Sequence, residues 1–335
     1  MTMKHEWDGR RRALLLGGAA VCALSVASAR VSAQAAAYPA KPIRLLVGYA
    51  PGGSADVSAR ILADALRPAL GQSIVVENQP GAAGNIAAQT VARATPDGHT
   101  LLLGNTGEIS INRFLMKDTG FDPHQDLVPI AVAYNITHAI SVPANSRYRT
   151  FDDLIVDARS RANKVRYASA GIGTPGHLAG ETLALKTRTT MVHIPYKGGG
   201  QVLADLLGGE LECHIAALST AMAHVKSGAL RVLAVTSAKR VPLLPDVPTV
   251  AESGVAGFDF PLWGGLFAPA KTPSDVVTLL NREVLRAYDR PEVQARIRGL
   301  YSEIVKWTPE QFAAFVKADA ERYLAAIKEA GIARN

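Results

Sequence analysis

The chain has 335 residues, 48% of them apolar and 19% charged, with a formal net charge of +7. That length exceeds one hydrophobic core and predicts two domains. The balanced composition excludes a disordered or low-complexity chain, and basic residues spread along the sequence exclude a nucleic-acid surface, which needs clustered Lys and Arg.

Arg10, Arg11 and Arg12 precede an apolar run from Ala13 to Ala27 that ends in small residues. This is the layout of an export signal, and the run is shorter than the roughly 20 residues a membrane helix needs. Cleavage is expected after Val31-Ser32-Ala33 or after Ala33-Gln34-Ala35, the second leaving a start near Ala36. The arginines also fit a twin-arginine signal in part, so the general secretory and twin-arginine routes both stay open. Val21 before Cys22 is a poor lipidation box. Loss of residues 1–35 removes five basic and two acidic side chains and lowers the formal charge to +4. Cys213 is then the only cysteine, which rules out an internal disulfide and reads as buried packing.

Short apolar runs then alternate with amphipathic stretches, the pattern of a βαβ protein with mainly parallel sheets. Residues 43–47 read as a strand broken by Pro51-Gly52-Gly53-Ser54, with a helix to about Leu70. Residues 73–77 form a second strand, followed by a Gly-rich link, a helix that Asn85 starts, the turn Pro96-Asp97-Gly98, and a third strand at 100–103. A second block opens near Ile140. Thr150 and Asp153 make a capping box for a helix at 151–162. Strands at 165–168, 191–194, 211–217 and 230–235 alternate with helices from about His177 to Lys186, over Val202 to Leu207, and through Met222 and Val225. Beyond Trp263 come three helical stretches, the last started by Thr308, Pro309 and Gln311.

Three strand–turn–helix junctions carry the candidate chemistry. In Tyr49-Ala50-Pro51-Gly52-Gly53-Ser54-Ala55-Asp56 the paired glycines let backbone N–H groups at a helix start approach an anion. Against that, Asp56 would repel an anion resting directly on the turn, and the segment also reads as plain scaffold. Gly171, Gly173 and Gly176 satisfy G-x-G-x-x-G, but no acidic residue stands about 20 positions on to hold a ribose, so a dinucleotide is set aside. What remains is a second anion-friendly turn with Ser169 and Thr174. The third junction, His193-Ile194-Pro195-Tyr196-Lys197-Gly198, offers Tyr196 and Lys197 to a cleft edge, or lets His193 and Tyr196 buttress the neighbouring turn. Asn105, beyond the third strand, completes the candidate set.

Catalytic readings find little support. No G-x-S-x-G elbow surrounds Ser54 or Ser169. His177 and Glu181, one helical turn apart, read as a structural pair rather than metal ligands. Glu210, Glu212 and His214 alternate along one face and read as a solvated edge. No catalytic residue, metal or cofactor is expected.

Taken in order, several segments resemble the extracytoplasmic receptors of tripartite tricarboxylate transporters. They are Tyr38-Pro39-Ala40-Lys41-Pro42-Ile43, Pro51 to Asp56, Val76 to Asn85, Pro96 to Leu102, His177 to Glu181, His193 to Gly198, Leu244 to Glu252 and Trp263 to Pro269. The resemblance implies an α/β, type II periplasmic-binding-protein fold, with two βαβ domains flanking a ligand cleft. Terminal helices after a βα array usually pack back on the first domain, so residues 36–138 and 262–335 are expected as a discontinuous domain 1 and 139–261 as domain 2. The resemblance also implies a small carboxylate, held largely through backbone and ordered water between Gly52, Gly53, Ser54 and Asp56 on one side and Ser169, Gly171, Gly173 and Thr174 on the other. Expected partners are membrane permease subunits or a sensor kinase, for a monomeric periplasmic protein with no nucleic acid. Ala50 stands where relatives carry a bulkier residue. His214-Ile215-Ala216 replaces a segment that often bears an aspartate selecting an amino group, which favours a plain mono- or dicarboxylate or an aromatic acid.

Overall fold

The computed structural model describes residues 38–160, 165–197, 202–329 and 331–332. The export signal read over 1–35 and Gly198 of the third junction lie outside them.

Ten strands form one continuous hydrogen-bonded array. They are β1 (Ile43–Val47), β2 (Ile74–Asn78), β3 (Thr100–Asn105), β4 (Leu127–Pro143), β5 (Val165–Ser169), β6 (Met191–Pro195), β7 (Cys213–Ala217), β8 (Leu230–Val235), β9 (Pro261–Pro269) and β10 (Ser302–Glu303). Their order is β2-β1-β3-β9-β4-β7-β5-β6, with β8 and β10 also paired to β4. The outer strands run parallel, β1 with β2 and β3 on one side and β5 with β6 and β7 on the other. β4 and β9 at the centre run antiparallel to their neighbours. β4 spans 17 residues and joins the two groups; it pairs with β9 through its first half and with β7 and β8 through its second.

Helices cover the strands: α1 (Ser54–Leu70), α2 (Asn85–Ala92), α3 (Phe151–Ser160), α4 (Pro175–Thr187), α5 (Val202–Leu207), α6 (Leu218–Lys226), α7 (Ser274–Ala287), α8 (Pro291–Gly299) and α9 (Pro309–Glu329). α1 buries Ala59, Leu62 and Leu66 along one stripe and ends where Gly71 takes a left-handed φ of 65°, the usual glycine stop. Both predicted capping boxes form. Thr150 N–H donates to Asp153 at 2.9 Å and Asp153 N–H to Thr150 Oγ1 at 3.2 Å, and Thr308 and Gln311 exchange the same pair. Asn85, expected to cap α2, instead accepts from Asn112 Nδ2 at 3.0 Å and makes no cap.

Several apolar cores result among the described residues, and two of them meet α9. One holds Leu46, Leu102, Val132, Trp263, Phe267, Phe312 and Val316. The other holds Ile140, Tyr167, Leu178, Cys213, Ile215 and Leu233. Trp263 meets Phe312 edge-on at 5.6 Å and donates its indole N–H to buried Asp319 at 2.7 Å, so both its faces and its polar tip are satisfied. α9 belongs to both cores. Phe312 and Val316 pack in the first, whereas Tyr323 and Ile327 pack in the second.

The solvated-edge reading of Glu210, Glu212 and His214 is corrected at His214, while Glu210 is exposed. β7 lies between β4 and β5, so His214 is buried, while Glu212 pairs with Arg166 at 3.0 Å. Burial pushes the His214 ring down to about 3, and neighbouring His138 adds to the effect. Cys213 is buried and free, its thiol pushed up by burial.

Candidate functional site: a cleft at three helix starts

A cleft of about 480 Å³ opens where β1, β3, β5 and β7 end and β4 passes between them. Its walls are the first turn (Tyr49 to Ala55), the start of α4 (Thr174, Pro175, Gly176) and the start of α6 (Ala216, Ala217, Thr220). Asn105, Tyr134, His138, Ala170, Ile215 and Leu262 complete the lining. No Lys, Arg, Asp or Glu is among these residues.

Three helix N-termini therefore face one space. In α1 the first intrahelical bond is Val57 N–H to Gly53 O at 3.0 Å, which leaves the Ser54 and Ala55 N–H groups outside the ladder. In α4 it is Leu178 N–H to Thr174 O at 3.1 Å, which leaves Gly176 N–H. A Cβ on Gly176 would come within 2.3 Å of Ile215 O, so only glycine lets α4 start this close to β7. Each N-terminus carries about half a positive charge. Their sum makes the cleft attractive to an anion without any cationic side chain.

The sequence candidates divide. Tyr49, Gly52, Gly53, Ser54, Asn105 and Thr174 line the cleft. Asp56, Ser169, Gly171, Gly173, Tyr196 and Lys197 do not, and the structure shows what most of them do instead. Asp56 is buried, accepts Gly52 N–H at 3.0 Å and grips Arg60 at 2.9 Å. Burial pushes its carboxyl up, but Arg60 and the Gly52 N–H outweigh this and hold it below the ordinary range. It is a turn clamp whose charge Arg60 meets. Ser169 is fully buried and accepts Gly171 N–H at 3.2 Å, while Thr174 Oγ1 donates to Gly171 O at 2.7 Å. Tyr196 donates to Asp205, and Lys197 is exposed. His177 closes the second turn by accepting Gly173 N–H at 3.3 Å, and Glu181 accepts from Tyr167 at 2.6 Å.

Two residues escaped the sequence reading. Glu108 lies buried behind the first turn. It accepts from Asn105 N–H and Nδ2, both at 2.8 Å, and from Tyr49 at 3.1 Å. Burial pushes its carboxyl up to about 7 against those bonds. His138 on β4 lines the cleft, and burial pushes its ring down to about 4. Neither belongs to a Gly-rich junction. For His138 the available signal was a polar residue inside an apolar run; Glu108, after Asn105-Thr106-Gly107, offered none.

Solved structures define the class. The periplasmic binding protein BugD is 35% identical, with a TM-score of 0.84 over 89% of this chain and all of that one. The R. palustris protein Rpa4515, solved with adipate, is 34% identical with a TM-score of 0.86 over the same shares. This is the type II periplasmic-binding-protein fold, α/β with two domains flanking a cleft, and a non-enzymatic solute-binding protein of the periplasm. Residues 58–332 match the tripartite tricarboxylate transporter family receptor, and the chain belongs to that family. A Pseudomonas sp. (strain P51) relative, the UPF0065 protein in the tcbD-tcbE intergenic region, is 36% identical over 96% of this chain and 94% of its own length.

Proposed function

We propose that the protein captures a small organic carboxylate in this cleft and delivers it to the membrane permease of a tripartite tricarboxylate-type transporter. The carrying observation is the convergence of three helix N-termini on a space lined by no charged side chain. Such a site suits an anion held by backbone N–H groups and bridging water. Adipate in the similar R. palustris structure supports the class.

In this reading Ser54, Ala55 and Gly176 supply N–H donors, and Tyr49, Asn105 and Thr174 shape the walls. Asp56, Ser169, Gly171 and Gly173 hold the two turns in place without touching ligand. We assign 36–138 with 262–335 to one closing domain and 139–261 to the other, with β4 and β9 crossing between them. A mono- or dicarboxylate or an aromatic acid fits better than an amino acid, because the lining has no carboxylate to balance an ammonium group. Thermal-shift screening of the mature chain against organic acids, amino acids and sugars tests this. An acid at about 100 times its Kd adds roughly 2.7 kcal/mol and shifts Tm by several degrees; a shift with sugars alone contradicts the reading.

A further inference from the structure

Most polar side chains of the cleft are committed inside the protein. Tyr49 donates to Glu108 and to Ala83 O, Tyr134 to Asn105, and the Asn105 amide to Glu108. Thr174 donates to Gly171 O and Thr220 to Ala217 O, each at 2.7 Å. Ser54 and His138 differ. The Ser54 hydroxyl makes no hydrogen bond among the described residues.

His138 Nδ1 lies 3.3 Å from the Phe260 carbonyl. A carbonyl only accepts, so Nδ1 carries the proton, and in the neutral ring Nε2 keeps its lone pair. The side chain is only 4% exposed and lines the cleft. Its Nε2 has no protein partner among the described residues. It is not sealed in the core either, as the unpartnered Nε2 of His214 is.

In a cleft otherwise rich in donors this lone pair can be met by a bridging water or by a donor on the ligand, and only the second discriminates between ligands. An ammonium group would supply such a donor, but three helix N-termini oppose a positive charge and no Asp or Glu lines the cleft to balance it. A neutral hydroxyl meets both conditions. We propose that His138 is a specificity residue that selects acids bearing a hydroxyl group by accepting that hydroxyl's hydrogen bond at Nε2. This rests on the carboxylate reading above.

Matched pairs test it by calorimetry on the mature chain: butanedioate against 2-hydroxybutanedioate, hexanedioate against its 2- and 3-hydroxy derivatives, and benzoate against the hydroxybenzoates. The hydroxylated member of the best-binding pair is expected to bind at least about tenfold tighter. His138→Leu should bring the two members of the pair within about threefold of each other, read as the ratio of their affinities in that same variant. His138→Gln, whose amide oxygen also accepts, should keep part of the preference. Equal binding of both members by the wild-type protein overturns the proposal, a result that needs no variant to fold. A preference that survives in His138→Leu, or a stronger preference for the 2-amino acid, overturns it too. If plain acids bind and the pairs do not separate, the carboxylate reading stands and only this proposal fails; if no acid binds, both fall.

Discussion

The Ser169 hydroxyl and His193 Nε2 lie 2.7 Å apart, a hydrogen bond that ties the second Gly-rich turn to the third junction. The geometry resembles a nucleophile with its base, yet Ser169 is fully buried and its Oγ is taken up by the turn. The pair is a brace. His193 also stacks on Tyr167 at 4.9 Å and meets the His177 ring in a tilted contact at 4.3 Å, so one ring supports both ends of the turn. His193→Ala removes the bond and the stacking, and should cost about 1–3 kcal/mol of stability, measured by urea unfolding. An unchanged midpoint contradicts the brace.

Asp56 makes a separable prediction. Asp56→Asn keeps an acceptor for the Gly52 N–H and should lose well under half the stability that Asp56→Ala loses. The alanine variant leaves the turn unclamped, at a cost of about 1–3 kcal/mol. Chemical denaturation of both variants tests the clamp; equal losses would mean the ion pair with Arg60 matters and the turn bond does not.

Proline can delete a donor without breaking a helix, because the first helical position needs no N–H for the ladder. Ser54 is that position in α1, and Gly53 before it is already extended, with φ −76° and ψ 169°. Ser54→Pro should therefore fold with near-native circular dichroism. Its affinity for a bound acid should fall by about tenfold or more, the effect of losing one charge-assisted hydrogen bond. Unaltered affinity would place the ligand away from α1.

Titration gives opposed contributions. The rings of His138, His193 and His214 are depressed to about 4, 3 and 3, chiefly by burial. Their contribution is full above the unfolded value near 6.5 and is lost as pH falls toward those depressed values. Glu108 is raised to about 7, so its contribution is present below about 4.5 and is lost as pH rises through 7. Three rings outweigh one carboxyl, and the wild-type Tm should fall between pH 6.5 and 4. Glu108→Gln removes the buried charge, so its Tm relative to wild type should rise between pH 5 and 8. A difference that shrinks over that range contradicts the burial of Glu108 as an acid.

Legibility in the sequence followed local rules. The turns announced themselves because glycine supplies conformations closed to other residues and Pro presets φ in Pro-Asp-Gly, and the capping boxes because their donors and acceptors are three residues apart. β4 did not, since Leu127 to Pro143 is fixed by pairing with β9, β7, β8 and β10, all distant in sequence. His138 was hidden with it. Asp56 and Ser169 read as ligand contacts because a polar residue beside glycines serves a turn and a ligand equally well. Only the direction of the side chain separates the two, and that is set by Arg60 and His193.

The central claim is that a carboxylate is recognised by its charge in a cleft without cationic side chains. Isothermal titration of the mature chain with the best-binding acid and with its uncharged amide measures this directly. The account predicts that the acid binds and the amide binds at least about a hundredfold more weakly. Equal affinity for both, or tight binding of a sugar with no response to any acid, would contradict it.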